Sequence, residues 1–200
     1  MIRITSGAFK GRRIETTTGP GYHPATEKGR EALFSMLEAR VGDWEDLVAA
    51  DIFAGSGSLG FEALSRGARR VHFIENSAKA AKLIRSNVRQ LDLSFSRARI
   101  AKRDAFRLIQ SEPREKIGLA FIDPPYNKGL LVPFLDRFLN AGWMQECGLI
   151  AAEVEQDLII EPDRFPGLEL LTHKTYGQTR IYLWRTSACD SQCIREHSTP

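Results

Sequence analysis

Asp51-Ile52-Phe53-Ala54-Gly55-Ser56-Gly57-Ser58-Leu59-Gly60 is the stretch on which the fold turns. An apolar run, Val48–Phe53, leads into it, and residues with helical spacing, Leu59–Arg66, lead out. Glycines at such a strand-to-helix corner let the backbone turn sharply and let a ligand approach the main chain. The spacing Gly55-x-Gly57-x-x-Gly60 also matches the dinucleotide-type fingerprint of open α/β sheets. The same glycines could serve only to let a helix pack closely on a strand.

The pattern repeats downstream. Apolar segments at Arg70–Glu75, Arg99–Arg103, Leu119–Ile122 and Leu149–Glu153 alternate with helical spacing at Ala78–Leu91, Ala105–Gln110 and Leu130–Ala141. Alternation of this kind predicts an α/β fold with a mostly parallel sheet. Leu168–Lys174 and Arg180–Arg185, split by Tyr176-Gly177-Gln178, predict a C-terminal antiparallel hairpin, which brings the sheet to seven strands. Upstream, Thr26–Val41 reads as a helix with Thr26 as N-cap and Gly42 as its stop. Arg3-Ile4-Thr5 and Arg13-Ile14-Glu15 flank Gly7 to Gly11 as a small N-terminal β-hairpin. The chain thus divides into a basic N-terminal hairpin extension (1–25), one α/β domain (26–185) and a polar, pattern-free tail (186–200) expected to be disordered.

Composition bounds the function. The 200 residues are 42 % hydrophobic and 26 % charged, as in a globular domain with a full core. The net charge of +3 permits a nucleic-acid partner without demanding one. The first thirty residues are more telling, with Arg3, Lys10, Arg12, Arg13, Lys28 and Arg30 against Glu15 and Glu27. Cys147, Cys189 and Cys193 form an odd, sparse set that points to a reducing cytoplasm and not to a disulfide framework. Two cysteines on a tail do not make a metal site, and none is expected. No apolar run approaches the ~20 residues of a membrane span, and the N-terminus lacks a signal peptide's apolar core.

Two constellations carry chemistry. Glu75 ends the strand after the glycine loop, where a carboxylate can accept hydrogen bonds from both ribose hydroxyls of an adenosine cofactor. Asp51 stands before the loop. An acid there repels a pyrophosphate and favours a cationic ligand, which points to S-adenosylmethionine with its ammonium and sulfonium. Asp104 ends the next strand and can meet the adenine amine, with Ala105 supplying an amide; Asp104 is equally suited to cap a helix. Phe53, Gly55, Gly57, Gly60 and Asn76 complete the expected cofactor contacts. The second constellation is Asp123-Pro124-Pro125-Tyr126. Its prolines remove two backbone donors. A carboxylate and a proline carbonyl can then hold both hydrogens of an exocyclic amine, while Tyr126 stacks on a base. These four residues are the expected catalytic set. A rigid post-strand turn is the plainer reading of the same tetrapeptide.

At this point the sequence resembles the D/N-P-P-Y/F amino-methyltransferases, and within them the RsmD family of bacterial 16S rRNA (guanine-N2)-methyltransferases. The resemblance spans about residues 1–185. It rests on Arg3-Ile4 with Gly7, Lys10-Gly11-Arg12-Arg13, Arg30-Glu31-Ala32-Leu33-Phe34, the run Asp51 to Ala68, Asp123-Pro124-Pro125-Tyr126 and Tyr176-Gly177. It implies a Rossmann-like fold and methylation of a guanine N2 in 16S rRNA by a cytoplasmic monomer acting on a small-subunit (30S) particle. Departures fall at His23, Ala25 and Gly29, where the family carries Arg, Thr and a β-branched residue. Lys10, Arg12, Arg13 and Arg30 are the expected RNA contacts, tracking phosphates beside the active-site mouth. A DNA adenine-N6 or cytosine-N4 methyltransferase fits the motif order too, but the chain has no room for a large target-recognition insert. An NAD-dependent dehydrogenase would leave Asp123–Tyr126 unexplained. A non-catalytic RNA-binding protein would not need acids at Asp51, Glu75, Asp104 and Asp123 together.

Overall fold

The computed structural model describes residues 1–16 and 27–187. The expected cap Thr26, the departures His23 and Ala25, and Cys189 and Cys193 with the tail from residue 188 lie outside the described residues. The chain runs through β1 (Ile2–Arg3), β2 (Arg13–Ile14), α1 (Glu27–Glu38), β3 (Val48–Ile52), α2 (Ser58–Ser65), β4 (Arg70–Glu75), α3 (Ala78–Gln90) and β5 (Ala98–Lys102). It continues through α4 (Ala105–Leu108), β6 (Ile117–Ile122), α5 (Leu131–Asn140), β7 (Met144–Glu155), β8 (Leu168–Tyr176) and β9 (Thr179–Thr186).

Every residue of β3 and β6 is buried. Strands covered on both faces are near-continuous apolar runs, broken in these two only by Asp51, and the pair forms the centre of the seven-stranded sheet, ordered β5-β4-β3-β6-β7-β9-β8. The first five strands in that order are mutually parallel, while β9 runs antiparallel between β7 and β8. Alternate side chains sort the core into two layers. Ala49, Leu119, Phe121, Ala151 and Ile181 meet Leu33 and Phe34 of α1, Phe61 of α2 and Ile84 of α3. Ala50, Ile122, Ala152, Tyr182 and Trp184 meet Phe134, Leu135 and Phe138 of α5 and Ala105 of α4. The chain crosses from β5 back to β6 beside β3, so a crevice opens between the carboxyl ends of β3 and β6, where ligands of such sheets bind.

Most element bounds shift by a residue or more from the sequence reading, and three of the shifts have a visible physical cause. The helix predicted over Thr26–Val41 is described from Glu27 and ends at Glu38. Arg40 and Val41 fold their amides back onto the Leu37 carbonyl, and the Arg40 guanidinium binds the Met36 carbonyl at 2.7 Å. Strand β7 starts five residues early, across an irregular register at which Cys147 takes a positive φ of 56°. Thr186 belongs to β9 and is buried, its hydroxyl donating to the Gln145 carbonyl at 2.9 Å.

The hairpin β1–β2, in register Ile2↔Ile14, is bound into the domain at several points. Ile4 and Ile14 lie in the core. The Ala8 and Phe9 amides donate to Ser65 at the end of α2, at 2.7 and 2.9 Å, and Glu15 and Asn87 of α3 exchange two hydrogen bonds. Gly7 makes this docking possible: at φ +78°, an added Cβ would lie 1.9 Å from the Ser65 carbonyl oxygen. Gly11, at φ +82°, faces open space. Both Gly→Ala changes carry the left-handed penalty of ~1–2 kcal/mol. Only Gly7→Ala should add a backbone collision, for a total above about 3 kcal/mol in urea unfolding. Equal losses for the two variants would show that the hairpin is not held by this contact.

Candidate active site

The carboxyl ends of β3, β4, β5 and β6 bring the two predicted constellations to one end of the sheet. Phe53 turns the chain out of β3 at φ +63°, and Gly55 and Gly57 follow at +54° and +79°. Beyond them, α2 presses against β4. A Cβ on Gly60 would stand 2.3 Å from the Phe73 ring, and one on Gly57 would stand 2.9 Å from both Phe61 and Phe73. These two glycines therefore do serve close helix–strand packing. Gly55 instead presents its amide to Glu75, which accepts it at 2.8 Å and accepts the Ser77 amide at 2.6 Å through its other oxygen. Glu75 thus ties the loop to the turn before α3, with Asn76 exposed beside it. Asp104 caps α4 by accepting the Arg107 amide at 3.0 Å, beside buried Ala105.

Asp51 is buried and accepts the Gly60 amide at 2.9 Å. Burial pushes its carboxyl up to about 8, with Glu75 and Glu153 adding like charge against the Gly60 bond. Asp123 leaves β6 with its amide donating to the Ile52 carbonyl at 3.3 Å, which locks it across from β3. Its carboxyl is raised well above the ordinary range, first by burial and then by Glu153 and Asp51. Pro124 is buried and Pro125 exposed. Tyr126 is half-buried, its hydroxyl 2.7 Å from Thr179 Oγ1 on β9, and burial lifts it to about 12. Asn127 donates its amide to Glu155 of β7, so the tetrapeptide is braced by the C-terminal strands.

Glu153 is the residue that sequence reasoning missed. Ile122 pairs with Ala152, so Asp123 and Glu153 are register neighbours with side chains on the face that carries Asp51. Glu153 is buried, and its Oε1 has no hydrogen-bond partner among the described residues. Burial raises it to about 7 against the opposing charge of Arg30. Three carboxyls on one face of three adjacent strands cannot all ionise cheaply. The available signal was an acid inside the apolar run Leu149–Val154, all of whose other members are apolar.

The predicted RNA contacts do not gather at this mouth. Arg30 is enclosed, its Nε 3.1 Å from Glu62 and an Nη on the Arg3 carbonyl at 2.9 Å, so the expected surface cation is a core ion pair. Arg12 donates to the Gln90 and Leu91 carbonyls and caps α3 at the end of the sheet opposite the crevice. Lys10 and Arg13 are exposed on the same hairpin.

The family described as Conserved hypothetical protein 95 matches residues 2–185. Ribosomal RNA small subunit methyltransferase D of Haemophilus influenzae is 32 % identical over 186 residues, covering 92 % of this chain and 93 % of that protein. The protein of the same name in Escherichia coli K12 is 32 % identical over 190 residues, covering 94 % and 91 %. The solved structure of yhhF from Escherichia coli superposes with a TM-score of 0.79 at 30 % identity, over 94 % of this chain and 99 % of that one.

The buried acids give a pH signature. Glu153 rises from 4.5 in the unfolded chain to about 7 in the fold, so between those values the native state holds the extra proton. Its contribution is therefore fully present below pH 4.5 and is lost as pH rises to about 7. Glu153→Gln removes that loss. Relative to the parent, the variant should gain ~1–3 kcal/mol of stability on going from acid to pH 8, read from thermal melts of the ligand-free protein. A difference that stays flat with pH would mean that Glu153 ionises freely in the fold.

Proposed function

The chain belongs to the conserved hypothetical protein 95 family, the RsmD family, and from that premise and the crevice geometry we propose that it methylates the N2 amine of a guanine in 16S ribosomal RNA, taking the methyl group from S-adenosylmethionine. The observation that carries the reading is the placement of Asp123-Pro124-Pro125-Tyr126 across the crevice from the glycine loop, beside Asp51. The donor set suits this cofactor. Asp51, Glu75 and Asp104 line the strand ends, and no lysine or arginine stands in residues 51–60 to neutralise a phosphate. Glu75 would hold the ribose, Asp104 and Ala105 the adenine edge, and Asp51 with the loop amides the cationic amino-acid end. Phe53 meets Phe106 and Phe134 edge-on and closes the apolar side.

When bound, the cofactor supplies an electrophilic methyl group on a sulfonium. The protein supplies orientation. The Asp123 carboxyl and the Pro124 carbonyl accept the two N–H bonds of the target amine and aim its nitrogen into the crevice. Tyr126, held by Thr179, packs on the base face. Guanine N2 is a weak nucleophile because its lone pair is delocalised into the ring. Acceptors at both hydrogens favour the positive charge that grows on nitrogen in the transition state. The proton leaves toward the Asp123 carboxylate, which burial and the neighbouring Glu153 and Asp51 make a stronger base than an exposed one. No described helix is long and apolar enough to cross a membrane. The reading places the enzyme in the cytoplasm as a monomer, with rRNA in a small-subunit particle as its partner.

Asp123→Ala should abolish methyl transfer while leaving S-adenosylhomocysteine affinity within a few-fold by calorimetry. Tritiated-methyl transfer to undermethylated rRNA and 30S particles, followed by nucleoside analysis, should yield N2-methylguanosine. N6-methyladenosine as the product, or near-normal turnover of Asp123→Ala, would overturn the assignment.

A further inference from the structure

The chain's small net charge conceals a strong asymmetry. Residues 76–110 hold nine lysines and arginines against Asp92 and Asp104, while the remainder of the chain holds nineteen basic residues against twenty-three acidic ones. Both acids of the segment are engaged, Asp104 in capping α4 and Asp92 beside Arg12. Helix α3 contains no acidic residue at all. Lys79, Lys82, Arg85 and Arg89 recur at helical spacing along one side of it, and all but the half-buried Arg85 are exposed. None of the four makes an ion pair among the described residues.

Such a stripe works against the helix that carries it. Like charges three and four residues apart repel, and Lys79 sits in the first turn, where the helix dipole disfavours a cation. An ordinary solvated helix interleaves acids to relieve this. The position of the stripe gives it a use. Helix α3 starts at the crevice rim, directly after Glu75, and Lys102 and Arg103 extend the same rim at the end of β5, where Lys102 pairs in register with Glu75. From there the stripe descends ~15 Å to Arg89. The basic hairpin is bonded to the far end of α3 through Gln90 and the Arg13 carbonyl.

We propose that this side of α3, with Lys102 and Arg103, is the surface that docks the phosphate backbone of the RNA flanking the target base. The proposal rests on the methyltransferase reading above and moves the RNA surface from the N-terminal hairpin to the third helix. Phosphates along the stripe relieve its self-repulsion, and the target nucleotide then reaches the crevice beside Glu75 and Asp123. Recognition is of backbone charge, independent of base sequence.

The test is fluorescence anisotropy of a labelled small-subunit rRNA fragment against potassium chloride, with the parent, the triple variant Lys82→Ala, Arg85→Ala, Arg89→Ala, and the control Lys174→Ala on the opposite edge strand. The triple variant should lose at least ten-fold in affinity near 0.1 M salt, and its slope of log affinity against log salt should flatten by about two. Its S-adenosylhomocysteine binding and helical circular dichroism should match the parent's, and the loss in methyl transfer should fall on KM more than on kcat. Unchanged affinity and slope would overturn the proposal. So would an equal loss for Lys174→Ala, or loss of binding to phosphatidylserine vesicles with RNA binding intact. If the parent binds RNA through this face but transfers no methyl group, the activity fails and the surface stands.

Discussion

Glu62 organises the amino-terminal third of the molecule. Fully enclosed on α2, it accepts the Thr5 amide and hydroxyl, each at 2.9 Å, and pairs with Arg30 and Arg66. Arg66 reaches on to Glu38 and lies over the Phe34 ring. One charge therefore joins the hairpin, α1 and α2. A buried carboxylate with two guanidiniums and two further donors is satisfied only when all three elements are in place. Removing one partner strands a charge in the core, a cost of several kcal/mol. The specificity of the arrangement, more than its net strength, keeps α1 seated on the sheet.

That seating reaches the crevice. Arg30 is the cation whose field opposes the rise of Glu153. The face of the sheet that α1 covers is the one from which Asp51, Asp123 and Glu153 project. The two buried acids differ in their partners: Glu62 has two guanidiniums, a backbone amide and a hydroxyl, whereas Glu153 Oε1 has no hydrogen-bond partner among the described residues. The second arrangement favours a proton, on the same side of the sheet as the first.

The strands were legible because parallel sheets bury both faces and so write continuous apolar runs; Arg70–Glu75 was placed to the residue. The crevice was legible because glycine at a strand-to-helix corner and Asp-Pro-Pro-Tyr after a strand are local signals. What escaped was tertiary. Arg30 reads as a surface cation in a basic amino terminus, and only the fold brings Glu62, thirty-two residues away, against it. Glu153 acquires its environment from β6 and α1, neither adjacent in sequence. Arg12 was read by its charge, whereas α3 uses it for its geometry, as a fork over two terminal carbonyls. The basic stripe was visible in the sequence, at Lys79, Lys82, Arg85 and Arg89, but its weight shows only when the helix places those residues along one side.

The insertion of β9 between β7 and β8 bears on synthesis. Until residues 179–186 have been made, β7 has β6 on one side and an open edge on the other, with the apolar Leu149–Ala152 and Val154 unpaired there. Tyr182 and Trp184, stacked at 5.0 Å and buried, arrive with that last strand. A nascent chain emerging amino-terminus first can form the cofactor-side half of the sheet early, but it exposes an aggregation-prone edge until β9 has emerged. The sheet is thus completed by the strand that also braces Tyr126, so a chain cut before β9 would lack both the cover for β7 and the partner of the Tyr126 hydroxyl.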